Sequence, residues 1–127
     1  MNGRTLDVMV VDDSSITIKK LTKMLEDLGH RVTCSAKTGE AAVAAYKEQK
    51  PALVTMDITM PDMDGIEATR RILAEDADAL IIMVTSHGQE QMVMDAIDAG
   101  AKGYVLKPVK PEKLQESIDK IMDKYLS

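Results

Sequence analysis

Short apolar runs of strand-forming residues alternate with helix-like stretches five times along these 127 residues. The runs are Leu6-Asp7-Val8-Met9-Val10-Val11, Arg31-Val32-Thr33-Cys34-Ser35-Ala36, Pro51-Ala52-Leu53-Val54-Thr55-Met56, Leu80-Ile81-Ile82-Met83-Val84 and Tyr104-Val105-Leu106. Strands that alternate with helices are joined by crossovers, and crossovers produce a parallel sheet covered on both faces. The expected fold class is therefore α/β, a doubly wound five-stranded parallel sheet. No internal repeat, linker or low-complexity tract interrupts the pattern, so one domain over residues 1–127 is expected.

The helical stretches carry their own periodicity. Ile18, Leu21, Leu25 and Leu28 recur at spacings of three and four, after Ser14 or Ser15 as a cap and before Gly29 as a stop. The second helix starts at Thr38 or Gly39 and presents Ala42, Ala45 and Tyr46, small enough to lie close to a sheet. The third spans 65–76, with Ile66, Thr69 or Arg70, and Leu73 inward. The fourth spans 89–99, with Met92, Val93, Ala96 and Ile97 inward. The last begins near Pro111, a favoured first-turn residue, with Leu114, Ile118, Ile121 and Tyr125 on one face. The mixed composition of 31–36 places that strand at an edge, and the uniformly apolar 80–84 in the interior. Only 2% of the residues are aromatic and none is Phe, so the ten Met are expected to fill core volume.

Polar residues stand where the strands end: Asp12-Asp13, Asp57, Thr85 and Lys107. In a parallel sheet those ends share one rim, where open α/β sheets keep their chemistry. A single acid after a strand is ordinarily a loop residue or a helix cap. Four groups of complementary type at one rim point to a site instead. Three carboxylates held together repel and need a cation, and their hard oxygens suit Mg²⁺. With Lys107 as an ammonium and Thr85 as a hydroxyl donor, the pocket resembles a phosphate site in which Asp57 is the nucleophile and carries the phosphoryl group as an aspartyl-phosphate.

Other phosphate chemistries fit poorly. There is no G-x-x-x-x-G-K-[ST] loop, and Asp12-Asp13-Ser14-Ser15 stands where a dinucleotide fold needs glycines. His30 and His87 lie far apart without a third ligand, which disfavours zinc. His30 reads as a solvated residue beyond a helix end. His87, two places after Thr85, reads as a surface loop residue or as one that tunes access at the pocket rim. The net charge of -5 argues against broad nucleic-acid or anionic-lipid binding. The lone Cys34 fits a reducing compartment, and no apolar run approaches a membrane span, so a cytoplasmic protein is expected.

The stretches Val10-Val11-Asp12-Asp13-Ser14, Met56-Asp57-Ile58-Thr59-Met60-Pro61-Asp62-Met63-Asp64-Gly65, Val84-Thr85-Ser86 and Ala99-Gly100-Ala101-Lys102-Gly103-Tyr104, with Leu106-Lys107-Pro108, resemble the receiver domain of two-component response regulators in order and spacing. That resemblance covers essentially the whole chain and implies the flavodoxin-like (βα)5 strand order 2-1-3-4-5. It implies Asp57 as phosphoacceptor, and Asp12, Asp13, Asp57 and the Thr59 backbone carbonyl as ligands of Mg²⁺. Thr85 and Lys107 would contact the phosphoryl group, Tyr104 would be the switch aromatic, and Pro108 would follow Lys107 through an often cis bond. With no output domain expected, the chain is most similar to the stand-alone chemotaxis regulators of the CheY type. That implies a histidine kinase as donor and a downstream protein such as a flagellar motor switch protein, with a phosphatase as a further partner. Lys102, Lys107, Lys110 and Lys113 would form a local basic patch for an acidic partner segment. A monomer with self-catalysed transfer and dephosphorylation, rather than a metabolic enzyme, is the expected form. Val109 departs from the Phe of many members, and Thr59 and His87 occupy positions that tune the lifetime of the phosphorylated state. The alternatives are a phosphorelay intermediate, a regulator outside motility, an interaction module that kept only the fold, and a Mg²⁺-dependent phosphatase. A phosphatase of that kind would carry a lid and an acid where Thr59 stands.

Overall fold

The computed structural model describes residues 4–126; residues 1–3 and 127 of the expected domain lie outside the described residues. The elements run β1 (Asp7–Val11), α1 (Ser15–Asp27), β2 (Arg31–Ala36), α2 (Gly39–Gln49), β3 (Leu53–Met56), α3 (Gly65–Glu75), β4 (Ile81–Thr85), α4 (Glu90–Asp98), β5 (Gly103–Leu106) and α5 (Pro111–Tyr125). Every strand pair is parallel and the sheet order is β2-β1-β3-β4-β5. This is the flavodoxin-like (βα)5 order, with the mixed β2 at an edge and the apolar β4 inside. The β1–β2 register shifts between Val8 and Met9, an irregularity confined to the edge pair.

Alternation along the strands divides the core between two faces. On one face Met9, Val11, Val54, Met56, Ile81 and Met83 pack beneath α2, α3 and α4. On the other, Val8, Val10, Leu53, Ile82 and Val84 meet Leu21 and Leu25 of α1 and Leu114, Ile118 and Ile121 of α5. Met9, Met56 and Met83 are fully buried, so methionine does take the space that larger aromatics would fill.

The helix boundaries have local causes. Ser14 caps α1 by accepting from the Thr17 N–H at 3.3 Å, and Gly29 follows its end at φ +94°. Thr38 and Asp64 cap α2 and α3 in the same way, at 3.1 Å to the Ala41 N–H and 2.8 Å to the Glu67 N–H. Pro111 opens α5.

On α3 Ile66 is buried as expected, Thr69 rather than Arg70 points inward, and Leu73 is partly buried against the same core, which Ala68 and Ile72 complete. Three expectations are corrected. On α4 only Ala96 is fully buried, and Ile97 points out, 58% exposed. On α5 Met122 takes the inward place expected of Tyr125, which lies outside. His30 is not solvated: it is buried, and its Nδ1 accepts the Leu6 N–H at 3.1 Å, tying the end of α1 to the start of β1.

Candidate functional site

Two strands deliver the three acids. Asp12 directly follows β1, and its N–H donates to the Ala36 carbonyl of β2 at 3.0 Å. Asp57 directly follows β3, and its N–H donates to Val11 of β1 at 3.0 Å. The ladder bonds therefore continue one residue beyond the strands and fix both acids side by side. Carboxylate oxygens of Asp12, Asp13 and Asp57 lie within 4.8 Å of one another. Asp12 and Asp57 are buried, and Asp13 is exposed at the mouth.

Lys107 closes the set from β5. Its backbone N–H donates to the Thr85 carbonyl at 2.8 Å, which aims the side chain inward across β4. The Nζ lies 2.7 Å from Asp12 Oδ2 and 3.6 Å from Asp57 Oδ2. The remaining oxygens are also held: Asp12 Oδ1 accepts from the Ser14 N–H and Asp57 Oδ1 from the Ile58 N–H, each at 2.9 Å. Burial pushes the Asp57 carboxyl above the ordinary carboxylate range. Lys107 opposes that rise, Asp12 adds to it, the Ile58 N–H pulls down and Asp13 pushes up. One ammonium leaves three clustered carboxylates under-neutralised. This all-oxygen donor set, open to solvent on the Asp13 side, suits a small hard cation and fits Mg²⁺.

Thr85 ends β4 fully buried, and its Oγ1 accepts the His87 N–H at 3.3 Å. Tyr104 on β5 donates its hydroxyl to the His87 carbonyl at 2.5 Å, so it is turned toward the β4–α4 loop. The His87 ring is joined to the Thr59 hydroxyl by a hydrogen bond of 2.6 Å between Nε2 and Oγ1. His87 is thus a partly exposed residue of the β4–α4 loop that also touches the loop after Asp57 through Thr59. The Lys107-Pro108 peptide is cis. The sequence reading placed Thr85 and Thr59 with Asp12, Asp13, Asp57 and Lys107 at one rim; the structure gathers the three acids and Lys107 in one cluster and links Thr85, Thr59 and Tyr104 to one another through His87.

Asp62 carries a role that the sequence did not announce. Its two oxygens accept the Gly39 and Glu40 N–H groups, both at 2.8 Å, across the N-terminus of α2. Those two bonds hold its carboxyl below the ordinary range. The loop after Asp57 is thereby fastened to a neighbouring helix. At its far end Gly65 has no room for a side chain, since a Cβ there would collide with the Asp57 carbonyl. A Pro-Asp step in a loop was the only signal, and its partners lie more than twenty residues away.

Sheet order, acidic cluster and cross-rim lysine together define a module built to hold a divalent ion beside a buried carboxylate. The chain belongs to the response regulator receiver domain family, whose model matches residues 8–119. It is 44% identical over 116 residues to the chemotaxis protein CheY of Bacillus subtilis, covering 91% of this chain and 97% of that one. It is 42% identical to CheY of Thermotoga maritima, covering 90% and 95%. Among solved structures, the CheX–CheY–BeF3–Mg²⁺ complex of Borrelia burgdorferi superposes with a TM-score of 0.88 at 37% identity, over 91% of this chain and 88% of that one. No helix among the described residues is long and apolar enough to cross a membrane.

Proposed function

We propose that Asp57 accepts a phosphoryl group and that Asp12, Asp13, Asp57 and the Thr59 carbonyl hold Mg²⁺ around it. The observation that carries this reading is the buried Asp57 carboxylate, gathered with two further acids and facing Lys107 at 3.6 Å. A carboxylate oxygen of Asp57 attacks the donor's phosphorus. The bond to the donor's leaving atom breaks, the electron pair departs with the leaving group, and an acyl phosphate remains. The Lys107 ammonium offsets charge on the phosphoryl oxygens, and Thr85 donates its hydroxyl to one of them. When bound, the divalent ion supplies the further positive charge that two acids and a phosphoryl group require. Attack by water on phosphorus later returns the carboxylate.

The signal is read at the face formed by α4, β5 and α5. A phosphoryl group adds charge and acceptors to the rim, Thr85 moves to meet it, and Tyr104 with the segment through Pro108 follows. Beside β5 lies a groove of about 730 Å³ lined by Lys102, Lys107, Lys110, Lys113 and Lys120 on a protein of net charge -5. This supports an acidic segment of a downstream protein as the reader, in the manner of a flagellar motor switch protein. The likeness to CheY proteins supports a chemotaxis role, with a histidine kinase as donor and a phosphatase as a further partner. We read residues 1–127 as one receiver domain acting as a monomer.

The test is mass spectrometry after incubation with acetyl phosphate and Mg²⁺. The protein should gain the mass of one phosphoryl group, and Asp57→Ala should gain none. Labelling that persists in Asp57→Ala, or that is absent from the unaltered protein, overturns the assignment.

A further inference from the structure

We propose that His87 is a positioning residue that couples the loop after Asp57 to Tyr104, through the hydrogen bond between its imidazole and the Thr59 hydroxyl. This rests on the reading that Asp57 is the phosphoacceptor. Three contacts meet on this one residue, from three neighbouring parts of the sheet. Its N–H is held by Thr85 Oγ1 at the end of β4 at 3.3 Å, its ring by Thr59 Oγ1 in the loop after β3 at 2.6 Å, and its carbonyl accepts the hydroxyl of Tyr104 within β5 at 2.5 Å.

The neighbouring chain does little to fix the same backbone. Gly88 follows, with the widest conformational range of any residue. Gln89, which caps α4, makes no side-chain cap bond. Thr85 alone anchors the N–H and leaves the carbonyl free to rotate with the next peptide. Fixing the imidazole against Thr59 adds the second point that defines where the carbonyl faces. Thr59 is two residues from Asp57, so a displacement of that loop reaches Tyr104 by way of one ring and one peptide.

Coupling of this kind has a signature that simple packing lacks. Removing either partner of the Thr59–His87 bond should loosen Tyr104 to the same extent, and removing both should do no more. One hydrogen bond of ordinary net worth corresponds to a change of about 2- to 12-fold in the inward-to-outward ratio. His87→Gln, whose amide reaches about as far as the ring nitrogen, should restore the ratio.

The experiment labels the three tyrosines with 3-fluorotyrosine and follows Tyr104 by fluorine NMR, with its signal assigned from Tyr104→Phe. Spectra of the metal-free protein come first. Thr59→Val, His87→Ala and the double variant should each shift Tyr104 outward by that same factor, with His87→Gln close to the unaltered protein. An unshifted Tyr104 in the single variants, or a double variant that adds the two effects, overturns the coupling. Mg²⁺ and beryllofluoride are then added to the unaltered protein. A Tyr104 signal that ignores them counts against Asp57 as phosphoacceptor, and leaves the metal-free result to decide the coupling.

Discussion

Replacing Lys107 with methionine removes the ammonium and keeps most of the stem. In the metal-free protein, the ion pairs at 2.7 Å with Asp12 and 3.6 Å with Asp57 have gross attractions of about 6 and about 5 kcal/mol at an effective dielectric of about 20. Most of that is offset by the desolvation of the charges. What the substitution exposes is the other half of the account: buried carboxylates left without their cation. Removing one partner of a buried pair costs about 3–5 kcal/mol, and the Lys107 side chain is 24% exposed, so a loss near 3 kcal/mol is expected. The loss should shrink at acid pH. Asp57 already binds its proton more readily than a free carboxyl and would do so more readily still without Lys107. The assay is urea unfolding in a chelator, on Lys107→Met, Asp12→Asn and the double variant. Asp12→Asn should remove much of the penalty in the Lys107→Met background, giving a coupling well above 1 kcal/mol. Lys107→Met within about 0.5 kcal/mol of the unaltered protein, or additive losses in the double variant, would refute the claim that one ammonium holds these acids together.

Burial lowers the readiness of His30 to take a proton, with Asp119 pulling the other way. The unfolded chain therefore protonates first, so stability present above about pH 6.5 is lost as pH falls through that value toward the lower folded-state pKa. Thermal melts from pH 8 to 5 should show this slope, and His30→Leu should flatten it while costing about 1–3 kcal/mol from the stranded Leu6 N–H. Thr55 is fully buried in the central strand with no partner for its hydroxyl among the described residues, so Thr55→Val should stabilise by about 1 kcal/mol in urea unfolding. Gly39 and Gly65 open two helices, yet alanine should be tolerated unequally. At Gly39 the methyl meets the flexible Met63 side chain, whereas at Gly65 it meets the Asp57 carbonyl. Gly65→Ala should cost about 1–3 kcal/mol and slow labelling by acetyl phosphate, with Gly39→Ala near neutral in both measurements.

Asp57 and Lys107 could be read as neighbours although fifty residues separate them, because parallel crossovers return every strand in the same direction. Once five strands are recognised, their C-terminal ends must share a rim, and an ionisable residue placed just past a strand must stand on it. No knowledge of packing is required. The edge position of β2 followed from composition for a related reason: a strand buried on both faces is near-continuously apolar and has no room for an arginine, whereas β2 exposes Arg31, Thr33 and Ser35.

The misread residues needed information of another kind. Met92, Val93, Met94, Ala96 and Ile97 cover more than one face of α4, and periodicity alone cannot say which of them the sheet will use. The structure buries Ala96 and leaves Met94 and Ile97 half or more exposed. On α5, Met122 follows Ile118 by four places just as Tyr125 follows Ile121, and both spacings satisfy a helix. The apolar stripe drifts around the axis, and only the position of β5 and β4 beneath it selects Met122. His30 and Asp62 lay beyond any local pattern, since each acquires its meaning from a backbone N–H more than twenty residues away. His87 joins the two kinds of information. Its nearness to the site followed from its place after β4; Thr85 is a local partner, but Thr59 in the loop after β3 and Tyr104 within β5 join it only when β3, β4 and β5 lie side by side. A residue whose two distant contacts depend on that registry is sensitive to small relative shifts among these strands, which is the property that a relay between Asp57 and Tyr104 needs.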